Sequence, residues 1–215
     1  MNNKKIISVI GGNGFIGSYL VDKLLKHGYF VRIISRNATS KKQFFPSAKL
    51  GQYQLVNCNI CKLQELKKAL FDSEYVINLV GILESKANNS FSNVHITGAK
   101  NLIEACHMSN ISKLIQVSAL GVDQNKLSKY AITKFKAEKI IQSYKNSLII
   151  RPSIVCGDED NFINYFAKLG CGADIVSIGE FQKCIAAGMS PKKIIFSGVG
   201  KERHEIEFAL KNNIL

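Results

Sequence analysis

No apolar run in the 215 residues approaches the roughly 18 that a membrane-spanning helix needs. A secretory leader is also not expected. MNNKKIISVIGG has two lysines and then a short strand-like run, too brief for a signal peptide's apolar region, and no small-residue cleavage site follows. The chain is therefore expected to start at Met1 and to stay in the cytosol, with its 6 cysteines as free thiols. Repeats and low-complexity tracts are absent. Arginine is scarce, supplying only 4 of the 29 basic residues. Readers of base edges rely on arginine, and no stretch here combines a basic stripe with aromatics, so no nucleic-acid partner is expected. The formal net charge of +13 is spread over scattered lysines: residues 1–167 hold 22 Lys and Arg against 11 acids, and residues 168–215 hold 7 against 5. A bias toward Lys, Asn and Ile accounts for that, with an acidic or phosphorylated partner as the alternative. What is present is ordinary globular material, 46% hydrophobic and 21% charged. It excludes a disordered chain, a collagen-like repeat and a disulfide-stapled mini-protein, and it is long enough for one large domain.

The first 150 residues alternate two textures. Apolar runs at Ile6–Ile10, Phe30–Ile34, Tyr53–Val56, Tyr75–Val80, Leu114–Val117 and Leu148–Ile150 read as strands. Helical spacing lies between them. Ile16, Leu20 and Leu24 recur every four residues, with Gly28 as a stop, and two more helices are expected over Asn93–His107 and Tyr130–Tyr144. Such alternation predicts an α/β fold, a doubly wound parallel sheet of the Rossmann type. Past Phe166 the rhythm changes. Strands are expected at Asp174–Ser177 and Ile194–Phe196, helices at Glu180–Ala187 and His204–Lys211, and glycine becomes dense. The expected division is 1–167 and 168–215, the second part being a short βα tail. Phe162, Tyr165 and Phe166 read as core anchors.

The strongest chemical signal is Gly11-Gly12-Asn13-Gly14-Phe15-Ile16-Gly17, placed after a strand and opening a helix. Gly11 permits the tight turn, Gly14 lets a pyrophosphate approach the backbone, and Gly17 lets the helix pack closely. The backbone of Phe15 and Ile16 at the helix start offers N–H groups and partial positive charge to phosphate. An NAD site usually ends its second strand in a carboxylate for the ribose 2′-OH. Here the strand ends Ile34-Ser35-Arg36-Asn37. Arg36 can grip a 2′-phosphate bidentately, so NADP(H) is favoured over NAD(H). The alternative for Arg36 is a solvated loop cation.

Ser118 ends the fifth strand, and Tyr130 and Lys134 lie four apart at a helix start, so they share a face. An ammonium beside a phenol is expected to lower the phenol's pKa from about 10. Such a tyrosine can exchange a proton during hydride transfer while the serine holds the substrate oxygen. The alternatives are a tyrosine packed on the sheet and a lysine that holds only the cofactor ribose. Cys58 and Cys61 have redox-motif spacing but follow the third strand, and they are not expected to bind metal. Asp158, Glu159 and Asp160 read as a solvated loop, and His95 and His204 as structural or exposed.

The segments GGNGFIG, NLVGIL, NVHITGAKNLIEAC, VSALG, YAITK and RPSIVCGDEDNF resemble the extended or atypical short-chain dehydrogenases/reductases. More narrowly, they resemble the branch that supplies the nucleotide-binding accessory subunit of respiratory complex I. The resemblance covers residues 4 to about 167. It implies NADP(H) binding, with Gly11, Gly14, Gly17, Arg36, Asn59, Gly81, Ser118, Tyr130, Lys134 and Pro152 in the matching positions. Asn59 stands where the family usually has an aspartate near the adenine. The branch is regarded as non-catalytic, which implies little or no turnover and a role through a respiratory-complex or other protein partner, peripheral to the membrane. An active NADPH-dependent reductase or epimerase is the alternative.

Residues 168–215 resemble a piece of the pyridoxal phosphate barrel of diaminopimelate decarboxylase and its relatives, with Ile178 in place of a glycine. The strand that carries the Schiff-base lysine in that family precedes this segment and is missing, so pyridoxal phosphate is not expected to bind. The chain resembles a fusion in which a decarboxylase-like remnant replaces the substrate-binding part of a reductase. Two βα units cannot close a barrel of eight. Their apolar residues, including Ile175, Val176, Ile185, Ile194, Ile195 and Phe196, are expected to lie on the first domain, to pair with another chain, or to stay loosely ordered.

Overall fold

The computed structural model describes residues 5–40, 45–86, 89–153, 155 and 162–214. The acidic run at 158–160 and the side chain of Phe162 lie outside the described residues. By packing, the chain forms two compact units, 1–154 and 155–215, dividing some residues before the change of texture at Lys168.

In the first unit the strands are β1 (Ile6–Ile10), β2 (Phe30–Ser35), β3 (Tyr53–Asn57), β4 (Ser73–Asn78), β5 (Lys113–Val117) and β6 (Ser147–Ile150). They form one sheet in the order β3-β2-β1-β4-β5-β6, every pairing parallel. That is the doubly wound order, with the switch point between β1 and β4. The helices are α1 (Phe15–Lys26), α2 (Leu63–Leu70), α3 (Gly98–Met108) and α4 (Lys129–Gln142).

Alternation along the central strand sets the two layers. Ile7 and Val9 join Val31, Ile33 and Ile77 in a core closed by Val21 and Leu25 of α1. Ile10 points the other way, joining Ile34, Val76 and Leu114 under Leu66, Leu102 and Ile141 of α2, α3 and α4. The four-residue spacing expected of α1 holds, but its buried stripe is Gly17, Val21 and Leu25, one position on from Ile16. Gly28 stops the helix with a positive φ of 84°, and the Tyr29 N–H reaches back to the Leu24 carbonyl.

Two elements differ from the sequence reading. β4 spans Ser73–Asn78 rather than Tyr75–Val80. The Asn78 side chain accepts from the Val80 N–H at 3.1 Å and donates to Gln116 at 2.7 Å, turning the chain out of the sheet before Val80. The helix expected from Asn93 begins as a π-helical segment, Ser92–Thr97, before α3 proper.

The second unit holds α5 (Phe162–Lys168), β7 (Ala173–Ile175), α6 (Ile178–Ala186), a 3₁₀ turn at Pro191–Lys193, β8 (Ile194–Phe196) and α7 (Arg203–Lys211). β7 and β8 pair in parallel as a two-stranded sheet. Ser177 caps α6 through the Glu180 N–H, and Glu202 with Glu205 forms a capping box on α7. Part of the expectation for the apolar faces is corrected. Ile175, Phe181, Cys184, Met189 and Ile194 form a small core within the unit, joined by Phe166, Phe196 and Phe208, because α6 and α7 bring their own apolar faces to the strands. Val176 and Ile195 remain exposed. Tyr165 is also exposed and edges against Phe166, so it is no core anchor.

One ion cluster pins α4 to the end of β6. Glu138, 1% exposed, takes both arms of Arg151 at 2.7 and 3.0 Å, and Arg151 also reaches Asp123 at 2.6 Å. Removing the arginine strands a buried carboxylate, whereas removing Asp123 strands nothing buried. Arg151→Ala is therefore expected to lower the urea unfolding midpoint far more than Asp123→Ala. Arg151→Lys should recover only part, since an ammonium cannot span both carboxylate oxygens. Equal midpoints for the two alanine variants would contradict this account.

Candidate functional site

The turn from β1 into α1 is a cradle of backbone. Gly11 has a φ of +83°, a region that disfavours any side chain, and its N–H donates to the Ile34 carbonyl at 2.7 Å. A Cβ on Gly17 would lie 2.2 Å from the Gly11 carbonyl oxygen and 2.7 Å from Gly12 Cα, so only glycine lets α1 sit this close. A Cβ on Gly14 would approach the same carbonyl oxygen to 3.2 Å. Gly14 is the N-cap of α1 and no side chain caps that end, leaving the first-turn N–H groups to a ligand.

Beside the cradle opens a cleft of about 260 Å³ at the carboxyl ends of β1, β2 and β4. Gly11, Gly14, Arg36, Asn59 and Gly81 all line it, so five of the expected cofactor positions converge there. Ser35, Asn37, Asn89 and Asn13 line it too and had not been singled out. The Ser35 hydroxyl is buried with no hydrogen-bond partner among the described residues. Arg36 donates to Asn89 Oδ1 at 2.8 Å, which fixes one of its nitrogens and leaves the others for a ligand. No carboxylate side chain is among the lining residues described. Asn59 accepts from the Cys61 N–H at 3.0 Å and holds the start of α2 through Glu65. These features fit a dinucleotide: a cradle that a Cβ would fill, a helix end without a cap, and an orphaned hydroxyl beside a guanidinium.

Phe15 and Ile16 open α1, as expected, but do not line the cleft. Pro152 follows β6, accepting from the Leu120 N–H at 2.9 Å, and also lies outside it.

A second group lies around α4. Lys134 is buried, and its Nζ donates to the Val117 carbonyl at 3.3 Å, next to Ser118. A Cβ on Gly81 would come within 3.3 Å of that Nζ, so the ammonium adjoins the cleft wall. Burial pulls the Lys134 pKa down to about 8 against a small upward pull from Glu138. The Ser118 hydroxyl is buried without a partner among the described residues. Tyr130 packs edge-on against Phe91 and His95, with ring centroids 5.9 and 5.6 Å away. Its expected acidification is corrected. Burial among those rings pushes the phenol's pKa up, so Tyr130 is a proton donor at neutral pH and not a ready phenolate.

His95 was expected to be structural or exposed. It is buried in the π-helical segment, with Nδ1 2.9 Å from Thr133 Oγ1 and Nε2 without a partner among the described residues. Burial, aided by the nearby Lys134 charge, lowers its pKa to about 4. Its link to the site crosses 38 positions of sequence to Thr133, and no local pattern announces it.

Burial pushes the Cys58 thiol up to about 12 and raises that of Cys61, so neither is a ready thiolate. No metal-ligating cluster occurs among the described residues. His204 is exposed beside Glu202 at 3.3 Å. The second unit holds no eight-stranded barrel among the described residues. It has two parallel strands, and the Nζ atoms of Lys193 and Lys201 are held by the Gly170 and Ser197 carbonyls.

Fold and cleft together define a Rossmann-type dinucleotide-binding protein of the short-chain dehydrogenase/reductase kind. The chain belongs to the NAD dependent epimerase/dehydratase family, whose model matches residues 7–168. A second match, to the pyridoxal binding domain of pyridoxal-dependent decarboxylases, covers residues 135–215. The NADH-ubiquinone oxidoreductase 40 kDa subunit of Neurospora crassa is 28% identical over 75% of this chain and 44% of its own length. NADH dehydrogenase [ubiquinone] 1 alpha subcomplex subunit 9 of Dictyostelium discoideum is 30% identical over 76% and 46%. Diaminopimelate decarboxylase of Helicobacter pylori strain J99 is 45% identical over 37% of this chain and 21% of its own. The chain thus spans less than half the length of these relatives. In fold it is similar to the Bordetella bronchiseptica enzyme WbmG in complex with NAD, at a TM-score of 0.64 and 16% identity over 91% of this chain and 73% of that one. A UDP-galactose 4-epimerase gives 0.62 and 16% over 90% and 77%.

The His95 environment sets a pH dependence. The unfolded imidazole takes its proton near the ordinary 6.5, the folded one only near about 4. Its contribution to stability is therefore complete above pH 6.5 and is lost as the pH falls toward 4, by up to about 3 kcal/mol. Between pH 7 and pH 4 the wild type should lose more stability in urea than His95→Gln, which has no proton to gain. Parallel losses would contradict the assignment.

Proposed function

We propose that the protein binds NADP(H) in preference to NAD(H), with residues 1–167 as the dinucleotide domain and 168–215 as a decarboxylase-like remnant without pyridoxal chemistry. The observation that carries this is the end of β2, where the orphaned Ser35 hydroxyl and Arg36 line the cleft and no acid does among the described residues. The first-turn N–H groups of α1 hold the pyrophosphate, Arg36 pairs with the 2′-phosphate through the nitrogens that Asn89 leaves free, and Lys134 faces the ribose beside Gly81. A charge-assisted contact of this kind contributes roughly 1.5–3 kcal/mol. NADPH should accordingly bind more than about tenfold tighter than NADH in a fluorescence titration, and Arg36→Ala should remove the difference. Equal affinities in the wild type would overturn the preference.

A bound nicotinamide would supply hydride chemistry. Beside it Tyr130 can donate a proton to a carbonyl oxygen and Ser118 can hold that oxygen, since its hydroxyl has no other partner among the described residues. That is the support for the second reading, an active reductase or epimerase. Turnover also requires the substrate at near-attack distance, which contributes about 7–11 kcal/mol of barrier lowering. A positioned acid supplies only about 10²–10⁴-fold. In short-chain reductases the substrate is held by the part that follows the dinucleotide domain, and in this chain residues 135–215 match a decarboxylase domain instead. Little or no turnover is proposed, with a role through a protein partner such as a respiratory NADH–quinone oxidoreductase, peripheral to the membrane. NADPH oxidation should stay at background with carbonyl, quinone and sugar-nucleotide substrates. A substrate-dependent rate that disappears in Tyr130→Phe would establish the enzyme reading instead.

A further inference from the structure

The tautomer of His95 follows from what Thr133 offers it. The Thr133 hydroxyl has one proton, and its oxygen lies 2.8 Å from the Lys129 carbonyl and 3.0 Å from the Tyr130 carbonyl. Where that proton goes to the helix backbone, the oxygen is left to accept from the imidazole 2.9 Å away. Nδ1 therefore carries the ring proton and Nε2 is a bare lone pair. That lone pair is buried, has no partner among the described residues, and belongs to a ring stacked on Phe91 at 5.7 Å and crossed by Tyr130 at 5.6 Å. The Lys134 ammonium acts on the same ring and favours an unprotonated nitrogen. A buried acceptor without a donor is costly to keep. It sits in a π-helical turn, a feature that recurs at functional sites. The Ser118 hydroxyl, one residue on from the Val117 carbonyl that takes the Lys134 ammonium, is orphaned as well.

We propose that His95 Nε2 accepts a hydrogen bond from a ligand hydroxyl that enters beside Tyr130 and Lys134. This rests on the dinucleotide reading above. Two sources offer that chemistry: the ribose next to the nicotinamide, and a polyhydroxylated substrate. His95 is then a ligand-binding residue, with Thr133 as the positioning residue that keeps its acceptor bare.

The test titrates the full chain with NADPH and with 2′,5′-ADP, which lacks the nicotinamide and its ribose. Loss of one neutral hydrogen bond should weaken NADPH by about five- to tenfold in His95→Phe, which keeps an aromatic ring. Binding of 2′,5′-ADP should not change, and His95→Gln, with an amide oxygen to offer, should recover most of the loss. If NADPH affinity holds in His95→Phe but UDP-glucose added to the NADPH-saturated protein binds more weakly, the hydroxyl is the substrate's. The imidazole ¹⁵N spectrum of the wild type, which needs no variant to fold, should show Nε2 unprotonated and shifting when the hydroxyl-bearing ligand is added. A protonated Nε2, or unchanged affinity for both NADPH and UDP-glucose in His95→Phe, overturns the proposal. Wild-type protein that binds neither NADPH nor 2′,5′-ADP overturns the dinucleotide reading itself, and the hydroxyl contact with it.

Discussion

The first helix of the sheet domain rests on bare backbone. Gly17 stacks against the carbonyl of Gly11 and the Cα of Gly12 with no room for a methyl group. That contact sets the depth of α1, which brings Val21 and Leu25 onto Val9 and Val31 and so closes one layer of the core. It also sets Gly11 and Gly14 on the cleft wall, at a helix start that no side chain caps. Packing and binding thus depend on the same approach. A side chain at this point would displace the helix and the anion site together.

A second thread runs along α4. Tyr130, Lys134 and Glu138 recur at four-residue spacing and share a face, the last two fully enclosed. Glu138 is held by Arg151 and slightly favours the charged form of Lys134. The lysine's charge in turn bears on His95. The ion pair between β6 and α4 thus acts, through Lys134, on the same buried group of side chains as His95. Desolvation dominates the titrations of Tyr130, Lys134 and His95, which is why the phenol rises where a neighbouring ammonium alone would have lowered it.

The parallel sheet was legible because its strands are short, mostly apolar runs separated by helical spacing, and such runs are what a sheet covered on both faces requires. The glycine turn was legible because its spacing is itself the steric requirement. Less local features escaped. The end of β4 is set by the Asn78 side chain, which folds back on its own backbone while bonding Gln116 on the neighbouring strand. His95 depends on Thr133 from another helix, and the π-helical register that buries it has no compositional mark. The Ser35 hydroxyl was in view at the strand end, but its lack of a partner is visible only in three dimensions. In the second unit Ile175, Ile194 and Phe196 were identified, whereas Phe181, Cys184 and Met189 were not, and Val176, Ile185 and Ile195, named with the first three, are exposed because packing depended on the turns between the elements.

β6 ends the sheet, pairing with β5 on one side and with no strand on the other among the described residues. Its Leu148 and Ile150 are 46% and 44% exposed. An open ladder with apolar side chains is a template for wrong association between copies of a chain. The scattered lysines bear on this in a way unrelated to any ligand. At a net charge of +13, two copies repel at long range before their edges can align. The excess of cation then works as colloidal protection. It weakens as salt shortens the Debye length to about 8 Å at physiological ionic strength.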